Sequence, residues 1–352
     1  MPATSIDTFF ACSIMIILAL SSMAGTSMLM SPYLENLSHR DDIERYQTLG
    51  LQFLLNTGQP SDWGQTENTP LTFGLAKNGA SYAYELDADK LSRLNNLNAF
   101  SLKYSNIWTI LGVKDVAFQI AVQPIFTVNA TMLSNRINGT NVDYEFEAIT
   151  NKEGQPIPSY MVGYLMVDDF IANTKGSAPE GRGDLVFEVP ESYTGSAIII
   201  LFAQSTADSK IVSSSGFNFD LHDRSLSFYK PTSELSPLNH ILFCNLTKDT
   251  EILEAKAFNL AGNFSLNLIS KMDQSLEYSI PSIINSGPLA LAITGNNGSS
   301  SFAEFVMYPQ VPIKLGPNFD ETVTGSKVSS ENYVVCCNGA LYEVVVRWSG
   351  IA

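Results

Sequence analysis

The longest apolar stretch of the chain lies near its N-terminus. No charged residue occurs between Asp7 and Glu35, and the apolar core of this stretch covers Phe9–Met30. About twenty apolar residues in a helix are enough to cross the hydrocarbon core of a bilayer. The pattern therefore predicts one membrane-spanning helix within residues 1–30, and no later part of the sequence repeats it.

Beyond this span, apolar residues recur at spacings of three and four, which is the period of an amphipathic helix. The residues with this spacing are Leu34, Leu37, Tyr46, Leu49, Phe53 and Leu54. The sequence Gly58-Gln59-Pro60 then supplies a stop signal. We predict a helical stalk over residues 31–57, followed by a short helix whose N-cap is Asp87.

From residue 104 onward the pattern changes to short apolar or alternating runs with turn residues between them, which is typical of β-strands. The predicted strands cover 116–126, 143–148, 161–167, 184–189, 197–203, 214–220, 258–268, 289–294, 301–308, 333–337 and 341–348. A loop is predicted over 174–183 and a linker over 224–239. This spacing favours β-sandwiches.

The fold class predicted from these patterns is mainly β with a long N-terminal α-helix, in which β-sandwich domains follow a membrane helix and stalk. The predicted segments are a transmembrane helix (1–30), a stalk (31–57), a head segment (58–140), a sandwich (141–225) and a C-terminal β domain (226–352).

The charge balance excludes some partners. Lys and Arg number 20 against 35 Asp and Glu, giving a formal net charge of −15. Nucleic acids and anionic membrane surfaces need a basic face on the protein. We therefore expect no nucleic-acid partner.

The apolar span is too long for the core of a secretion signal and has no basic residue before it, so we favour a retained helix. Its small residues Ser21, Ala24 and Gly25 would let a second helix approach closely, although small residues also tolerate lipid. Two arginines after the span would place the following chain inside the cell by the positive-inside rule. The exported character of the remaining sequence outweighs this signal, and we expect the bulk of the chain to be extracellular.

The chain has few residues suited to covalent links. Of the four cysteines, three lie in the soluble part, and Cys244 could pair with Cys336 or Cys337 in an oxidising compartment; three free thiols are the equal alternative. Asn-x-Ser/Thr sequons, slightly more frequent than chance predicts, fit an exported glycoprotein. They occur at Asn36, Asn129, Asn138, Asn245, Asn263 and Asn297.

No set of residues indicates catalysis. The histidines His39, His222 and His240 are far apart, and no nucleophile–base pattern, phosphate-binding loop or metal-ligand spacing occurs. We therefore predict no catalytic residue, no metal site and no cofactor, and a hydrolase is the least favoured function class.

The block Gly58-Gln59-Pro60, Trp63-Gly64, Phe73-Gly74-Leu75-Ala76 and Lys90-Leu91, placed after an apolar helix, resembles archaeal type IV pilin-like surface proteins over about residues 1–125. The resemblance implies a helix that anchors the subunit and can pack into a filament core, with Asp7 as the acidic residue near its start. Because the basic and small residues of a processing site are missing, it implies a minor or monomeric component.

Residues 150–203 resemble Ig-like or transthyretin-like modules, through Asn151-Lys152-Glu153-Gly154 and the run 183–190. Such modules are spacers and adhesion surfaces. We therefore predict a non-catalytic surface or adhesion protein that self-associates or joins other pilin-like subunits. The alternative is a membrane-tethered module for glycans or peptides, with an aromatic pocket between the β domains formed by Tyr308 or Trp348.

Overall fold

The structure is a computed structural model of the 352-residue chain. It describes residues 3–113, 115–221, 232–282, 287–298, 300–319 and 328–350, with side chains from residue 9 onward except for 31–42. The chain divides into two compact units, Met1–Leu51 and Gln52–Ala352.

The structure gives bounds for three α-helices within its described residues. Helix α1 (Ala3–Leu55) has 53 residues and runs without a break through the predicted span and stalk. Helices α2 (Ala88–Ser92) and α3 (Tyr104–Leu111) are short, and a 3-10 turn covers Trp63–Gln65. The Asp87 carboxylate accepts hydrogen bonds from the backbone N–H groups of Asp89 (2.9 Å) and Lys90 (3.1 Å), which confirms the predicted N-cap of α2.

The remaining elements with described bounds in the second unit are strands, and the predicted fold class is confirmed. The strands are β1 (Glu85–Leu86), β2 (Val116–Pro124), β3 (Thr127–Asn138), β4 (Asn141–Lys152), β5 (Gln155–Pro156), β6 (Ser159–Val167), β7 (Phe170–Ala178), β8 (Arg182–Pro190), β9 (Gly195–Ser205), β10 (Val212–Leu221), β11 (Ser233–Leu238), β12 (Ile241–Leu246), β13 (Thr250–Phe258), β14 (Asn263–Ser265), β15 (Asn267–Met272), β16 (Ser275–Ser279), β17 (Leu289–Asn297), β18 (Ser300–Tyr308), β19 (Ile313–Leu315), β20 (Val328–Cys337) and β21 (Ala340–Gly350).

We call the sheet with the order β1-β20-β21-β2-β19 the head sheet, and we call this sheet together with residues 52–113 the head. The head sheet joins strands from both ends of the second unit. Strand β1 pairs with β20 in parallel, and the other neighbours are antiparallel. Strands from the segments predicted as separate domains, 58–140 and 226–352, therefore form one sheet.

The remaining strands that the structure describes form four further sheets. Sheet 1 contains β3, β4, β5 and β8, with β4 at its centre, and sheet 2 has the order β10-β9-β6-β7. Sheet 3 has the order β14-β13-β17-β18, and sheet 4 has the order β11-β12-β16-β15.

Three apolar layers join these sheets face to face. One core holds Phe146 and Phe187 of sheet 1 against Leu165 and Leu201 of sheet 2. A second core packs sheet 3 against sheet 4. A third layer joins the outer faces of sheets 2 and 3, so the two sandwiches are stacked rather than strung on a linker.

The central strands show how the sequence specifies this stack. Strand β17 alternates large and small side chains, so that Leu291 faces sheet 4 while Ala290 and Ala292 face sheet 2. Because successive strand residues point to opposite faces, a strand buried on both sides reads as a continuous apolar run. Strand β9 is also a continuous apolar run that is buried on both faces.

Three sequence predictions of local structure are wrong. The predicted loop 174–183 contains the end of β7, and the predicted strand 258–268 is divided among β13, β14 and β15. The predicted linker contains β11, and its residues 224–231 lie outside the described part of the chain. Strands β3 and β7 were not predicted, because the apolar alternation of β3 is limited to Val128, Ala130 and Met132 and β7 is mainly polar after Ala172.

Candidate functional site

The most distinctive surface of the first unit is the apolar part of α1. Phe9–Met30 is a 22-residue segment long and apolar enough to cross a membrane, and none of its most apolar window is buried. A signal sequence near an N-terminus can also be long and apolar enough to meet this criterion, so length and composition alone are weak evidence of a membrane span. A helix that is apolar on all sides needs either a protein core or lipid around it.

The predicted packing residues Ser21, Ala24 and Gly25 are exposed on this segment. The Ser21 hydroxyl donates to the carbonyl oxygens of Ile17 (2.8 Å) and Leu18 (3.1 Å), so its polar group is satisfied within the helix. A Cβ atom added to Gly25 would meet open space. Helix packing at these residues stays a prediction, and the side chain of Asp7 lies outside the described residues.

The last turn of α1 belongs to the core of the second unit. Phe53 is fully buried, and its ring centroid lies 5.2 Å from that of Phe73, 5.7 Å from Phe118 and 5.3 Å from Trp348. Aromatic pairs at these separations add to the free energy of burial. The helix that carries the apolar segment therefore ends as a structural element of the head.

Next to this aromatic group lies a set of buried glycine, cationic and tryptophan residues that we call the Trp63 cluster. Its members are Gly58, Trp63, Gly64, Gly74, Lys90 and Arg93. The indole Nε1 of Trp63 donates to the Gly74 carbonyl at 2.9 Å. The Lys90 Nζ lies 5.9 Å from the indole centroid, and the Arg93 Cζ lies 5.5 Å from it, both within the range of cation–π attraction.

The two cations of the Trp63 cluster are buried and bind backbone carbonyls instead of carboxylates. Lys90 Nζ donates to Thr57 O (2.8 Å) and Ala76 O (2.7 Å). Arg93 donates to the carbonyls of Trp63, Glu67, Asn68 and Phe100 at 2.6–3.1 Å. Burial lowers the pKa of both side chains. Apart from that of Phe100, these carbonyls lie within residues 57–76, a segment with little regular structure. The cations therefore supply hydrogen bonds that strands would otherwise provide.

The glycines of the cluster permit close backbone contacts. A Cβ on Gly74 would lie 2.2 Å from Asn56 O, and one on Gly64 would lie 2.6 Å from the Lys90 Cγ. Gly58 has a φ of +75°, which side-chain-bearing residues rarely adopt. The motif on which the pilin resemblance rests is therefore, in this chain, one packed structural unit.

A second buried polar group connects the head to sheets 3 and 4. The Tyr308 hydroxyl lies 3.0 Å from Asp89 Oδ1 and 3.3 Å from His240 Nδ1. Asp89 is 2% exposed, and burial followed by the nearby Asp87 charge raises its pKa to about 6. Burial also raises the Tyr308 pKa, so its hydroxyl stays protonated.

A cleft of about 370 Å³ opens where the head sheet meets sheets 1 and 2. Its polar lining includes Ser213, Ser214 and Ser215 of β10 and the amides of Gln123 and Asn151. Its rim carries an ion pair between Lys152 Nζ and Glu343 Oε2 at 3.7 Å. Ser215 lines the cleft, but its Oγ is itself buried and has no hydrogen-bond partner within the described residues.

Sequence reasoning did not find this cleft, because its residues come from separate segments and carry no shared motif. The prediction that Tyr308 or Trp348 lines an aromatic pocket is wrong. Both side chains are almost completely buried, at 1% and 0% exposure, and Trp348 packs inside the head. The large aromatic residues of this chain stabilise its cores.

No protein-family model matches the chain, and no curated protein sequence matches it. The chain is similar to a crystal structure of a tetra-tandem repeat in the extending region of a large adhesion protein. The similarity covers 60% of this chain and 52% of that structure, at 13% identity and a TM-score of 0.23. This chain thus spans about half the length of that structure.

The chain is also similar to a crystal structure of titin domains Z1Z2 in complex with telethonin. The similarity covers 51% of this chain and 94% of that structure, at 11% identity and a TM-score of 0.16. TM-scores this low support no conclusion about this chain. Its β-sandwiches follow from its own strand pairing and packing. The resemblance of residues 1–125 to pilin-like proteins gains no support from these comparisons and stays a prediction.

The three cysteines of the second unit are free thiols in the structure. Cys244 lies in the core between sheets 3 and 4, where burial raises its pKa to about 12. Cys337 is buried in the head sheet, and Cys336 next to it is half-buried. The disulfide between Cys244 and one of this pair stays a prediction.

The predicted sequons lie on the surface wherever the structure describes them. Asn129, Asn138, Asn245 and Asn263 are exposed, and Asn297 is half-exposed with its Nδ2 3.4 Å from Thr247 Oγ1. The side chain of Asn36 lies outside the described residues. Glycan occupancy stays a prediction.

The structure also places the candidates for chemistry. Among the described residues no group of three or more His, Cys, Asp or Glu side chains is arranged to hold a metal ion. His240 is exposed and lies beside Tyr308, whereas His222 and the side chain of His39 fall outside the described residues.

Proposed function

We propose that this protein is a membrane-anchored structural and adhesion protein that displays stacked β-sandwiches outside the cell. The observation that carries the proposal is the exposed apolar segment Phe9–Met30 within a helix whose last turn completes the head core. An apolar helix of this length requires lipid or a partner helix around it.

Membrane fractionation with surface protease shaving, read by mass spectrometry, tests this proposal. We expect residues 9–30 to stay in the membrane fraction after alkaline extraction, and peptides beyond residue 57 to be released by protease from intact cells. Recovery of the whole chain in the soluble fraction would contradict anchoring. Protection of the second unit in intact cells would contradict extracellular display.

The finer proposal is that the chain is a minor component of a pilin-like filament. It rests on the resemblance of residues 1–125 and on the packing of the helix end, through Phe53, against the head. Mechanical shearing of cells followed by negative-stain microscopy and immunoblotting tests it. We expect the chain in sheared filaments; its complete retention in the cell membrane contradicts the filament role and leaves anchored display intact.

A second candidate function is a binding module for neutral glycans, and the cleft beside β10 favours it. Hydroxyl and amide groups with little net charge are the partners that sugar hydroxyls require, and the volume is within the range of ligand sites. A glycan array with the detergent-solubilised chain and its Ser214→Val variant, which removes a half-buried hydroxyl from the cleft lining, tests this. Binding that the variant loses supports the module, whereas binding equal in both proteins places the ligand elsewhere.

A further inference from the structure

Strand β3 leaves one long edge of sheet 1 without a partner. It has 12 residues and pairs with β4, and no second strand pairs with it in the described part of the chain. An open strand edge offers unpaired N–H and C=O groups to other chains, and proteins usually protect such edges with charges, prolines, bulges or covering segments.

The protection supplied by the amino acids of β3 is weak. The strand contains one charged residue, Arg136, and no proline. It has a bulge between Met132 and Ser134, but Leu133 (53%) and Ile137 (68%) are exposed. A long, nearly uncharged edge with exposed apolar residues is a site for edge-to-edge association unless something covers it.

Two sequons lie on this same strand, one on each side of the exposed apolar residues. Asn129 and Thr131 both face solvent, while Ala130 between them packs against the core of sheets 1 and 2. Asn138 is exposed at the end of the strand, where Gly139 turns the chain into β4 with a φ of +65°. Leu133 and Ile137 thus fall between two accessible acceptor amides.

We propose that Asn129 and Asn138 are N-glycosylated and that their glycans cover the open edge of β3. This inference rests on the extracellular display proposed above, because the oligosaccharide is added outside the cytosol. A bulky, solvated sugar at each end of the strand hinders a second strand from approaching the exposed edge.

The reaction is a glycosyl transfer from a lipid-phosphate-linked oligosaccharide, catalysed by a membrane oligosaccharyltransferase. The asparagine Nδ2 forms a bond to the anomeric carbon of the sugar and loses one proton. The bond between that carbon and the phosphate oxygen breaks, and the lipid phosphate leaves. The Asn129 Nδ2 has no hydrogen-bond partner among the described residues, whereas the Asn138 Nδ2 donates to Asp143 Oδ2 at 3.0 Å on the surface.

Glycopeptide mass spectrometry of the full-length chain, purified in detergent from an N-glycosylating host, provides the first test. We expect glycans on Asn129 and Asn138. The sequons at Asn245 and Asn263, away from β3, are internal reporters of export. Glycans on these two with bare Asn129 and Asn138 would overturn the inference and leave display intact.

If all four asparagines are bare, the inference fails, and protease shaving decides about display. A shaved but unmodified chain keeps display, whereas a protected one contradicts both proposals.

The double variant N129Q/N138Q tests the shielding role. We expect its association constant, measured by sedimentation in detergent, to rise about tenfold or more over the glycosylated chain, since removing the sugars opens the edge. The matched control N245Q/N263Q removes two sugars elsewhere and keeps the original association constant. Adding Leu133→Lys to the double variant restores it, because a charge protects the edge. A double variant that associates no more than the control would overturn the shielding role.

Discussion

The head and the four-sheet stack hold themselves together in different ways. In the head, the segment between Asn56 and Lys77 has little regular structure, and buried cations and glycines fix it around Trp63. In the stack, alternating apolar residues build three layers between sheets. The comparison shows one chain using specific hydrogen bonds in one region and pattern-driven burial in another.

This difference determines how each region responds to a substitution. A side chain in the Trp63 cluster serves several partners at once, so its loss leaves buried carbonyls without donors. A side chain in the stack shares its contribution with many apolar neighbours, and its loss costs mainly burial and cavity energy. Substitutions in the head should therefore act more strongly per residue than those in the stack.

The largest effect is expected for Trp63→Ala. It removes a fully buried indole, the hydrogen bond to Gly74 and the surface that faces Lys90 and Arg93. Replacing a buried tryptophan by alanine costs about 3–5 kcal/mol, and we expect the upper part of that range. Chemical denaturation of the detergent-solubilised chain measures it. As a control, Trp108→Ala removes a half-buried indole outside the cluster; an equal loss in both variants would contradict a special role of Trp63.

The second largest effect is expected for Lys90→Met, which keeps the length of the side chain and removes the ammonium group. Thr57 O and Ala76 O lose their donor inside the protein, and each unsatisfied buried group costs about 1–3 kcal/mol. We therefore expect a loss of ~2–4 kcal/mol in the same denaturation experiment. A stability equal to or above that of the original chain would show that an apolar side chain is preferred there. Lys77→Met, at an exposed ion pair with Glu85, is the matched control and should cost less than ~1 kcal/mol.

The sequence predicted the two regions to different extents, and the physical reasons follow from these contacts. In the stack, strands such as β6, β9 and β17 were predicted because apolar runs and alternation are local signals. The third apolar layer was not, because Ala290 and Ala292 reveal a partner sheet only when that sheet is known. In the head, Trp63, Gly64 and Gly74 were visible as a motif, but their contacts with Lys90 and Asn56 depend on the folded path of the chain.

The candidate sites follow the same division. The apolar segment of α1 and the sequons were found because each is written in consecutive residues. The cleft beside Ser215 brings together β2, β3, β10 and β21, so no local pattern announces it. The orientation of β3 as an open edge depended on its pairing, which its polar sequence did not reveal.

A third prediction concerns the boundary between the two regions, where Asp89 of α2 meets Tyr308 and His240. Burial, followed by the nearby Asp87 charge, raises the pKa of Asp89 in the folded state from its ordinary value of 3.8 to about 6. The folded state therefore holds the proton more tightly, and stability is lost as pH rises from about 4 through 6. A difference of about two pKa units corresponds to ~3 kcal/mol.

We expect Asp89→Asn to remove this pH dependence and to raise the free energy of unfolding at pH 7.5 by up to ~3 kcal/mol. Denaturation at a series of pH values from 4 to 8 measures both effects. His240 lies beside Tyr308, so the comparison is repeated with His240→Gln to show whether the imidazole contributes to the effect. A slope between pH 4 and 6 that persists in Asp89→Asn would assign the pH dependence to another group.

The smallest effect is expected in the stack, at the layer between sheets 2 and 3. Ala292 is fully buried there, so Ala292→Leu must push the two sheets apart, at a cost of about 1–3 kcal/mol. Ala257→Leu is the matched control, because Ala257 is equally buried but faces the core between sheets 3 and 4.

Hydrogen exchange distinguishes the two variants better than stability does. Ala292→Leu should increase exchange in β9 and β17 while sheet 4 stays protected. Ala257→Leu should instead increase exchange in sheet 4, because its side chain faces that sheet. Unchanged exchange in β9 would mean that sheets 2 and 3 can separate without loss, and that the two sandwiches are independent despite their shared layer. An increase in exchange confined to the strands of sheets 2 and 3 would show that apolar burial alone, without the buried cations of the head, couples the two sandwiches into one body.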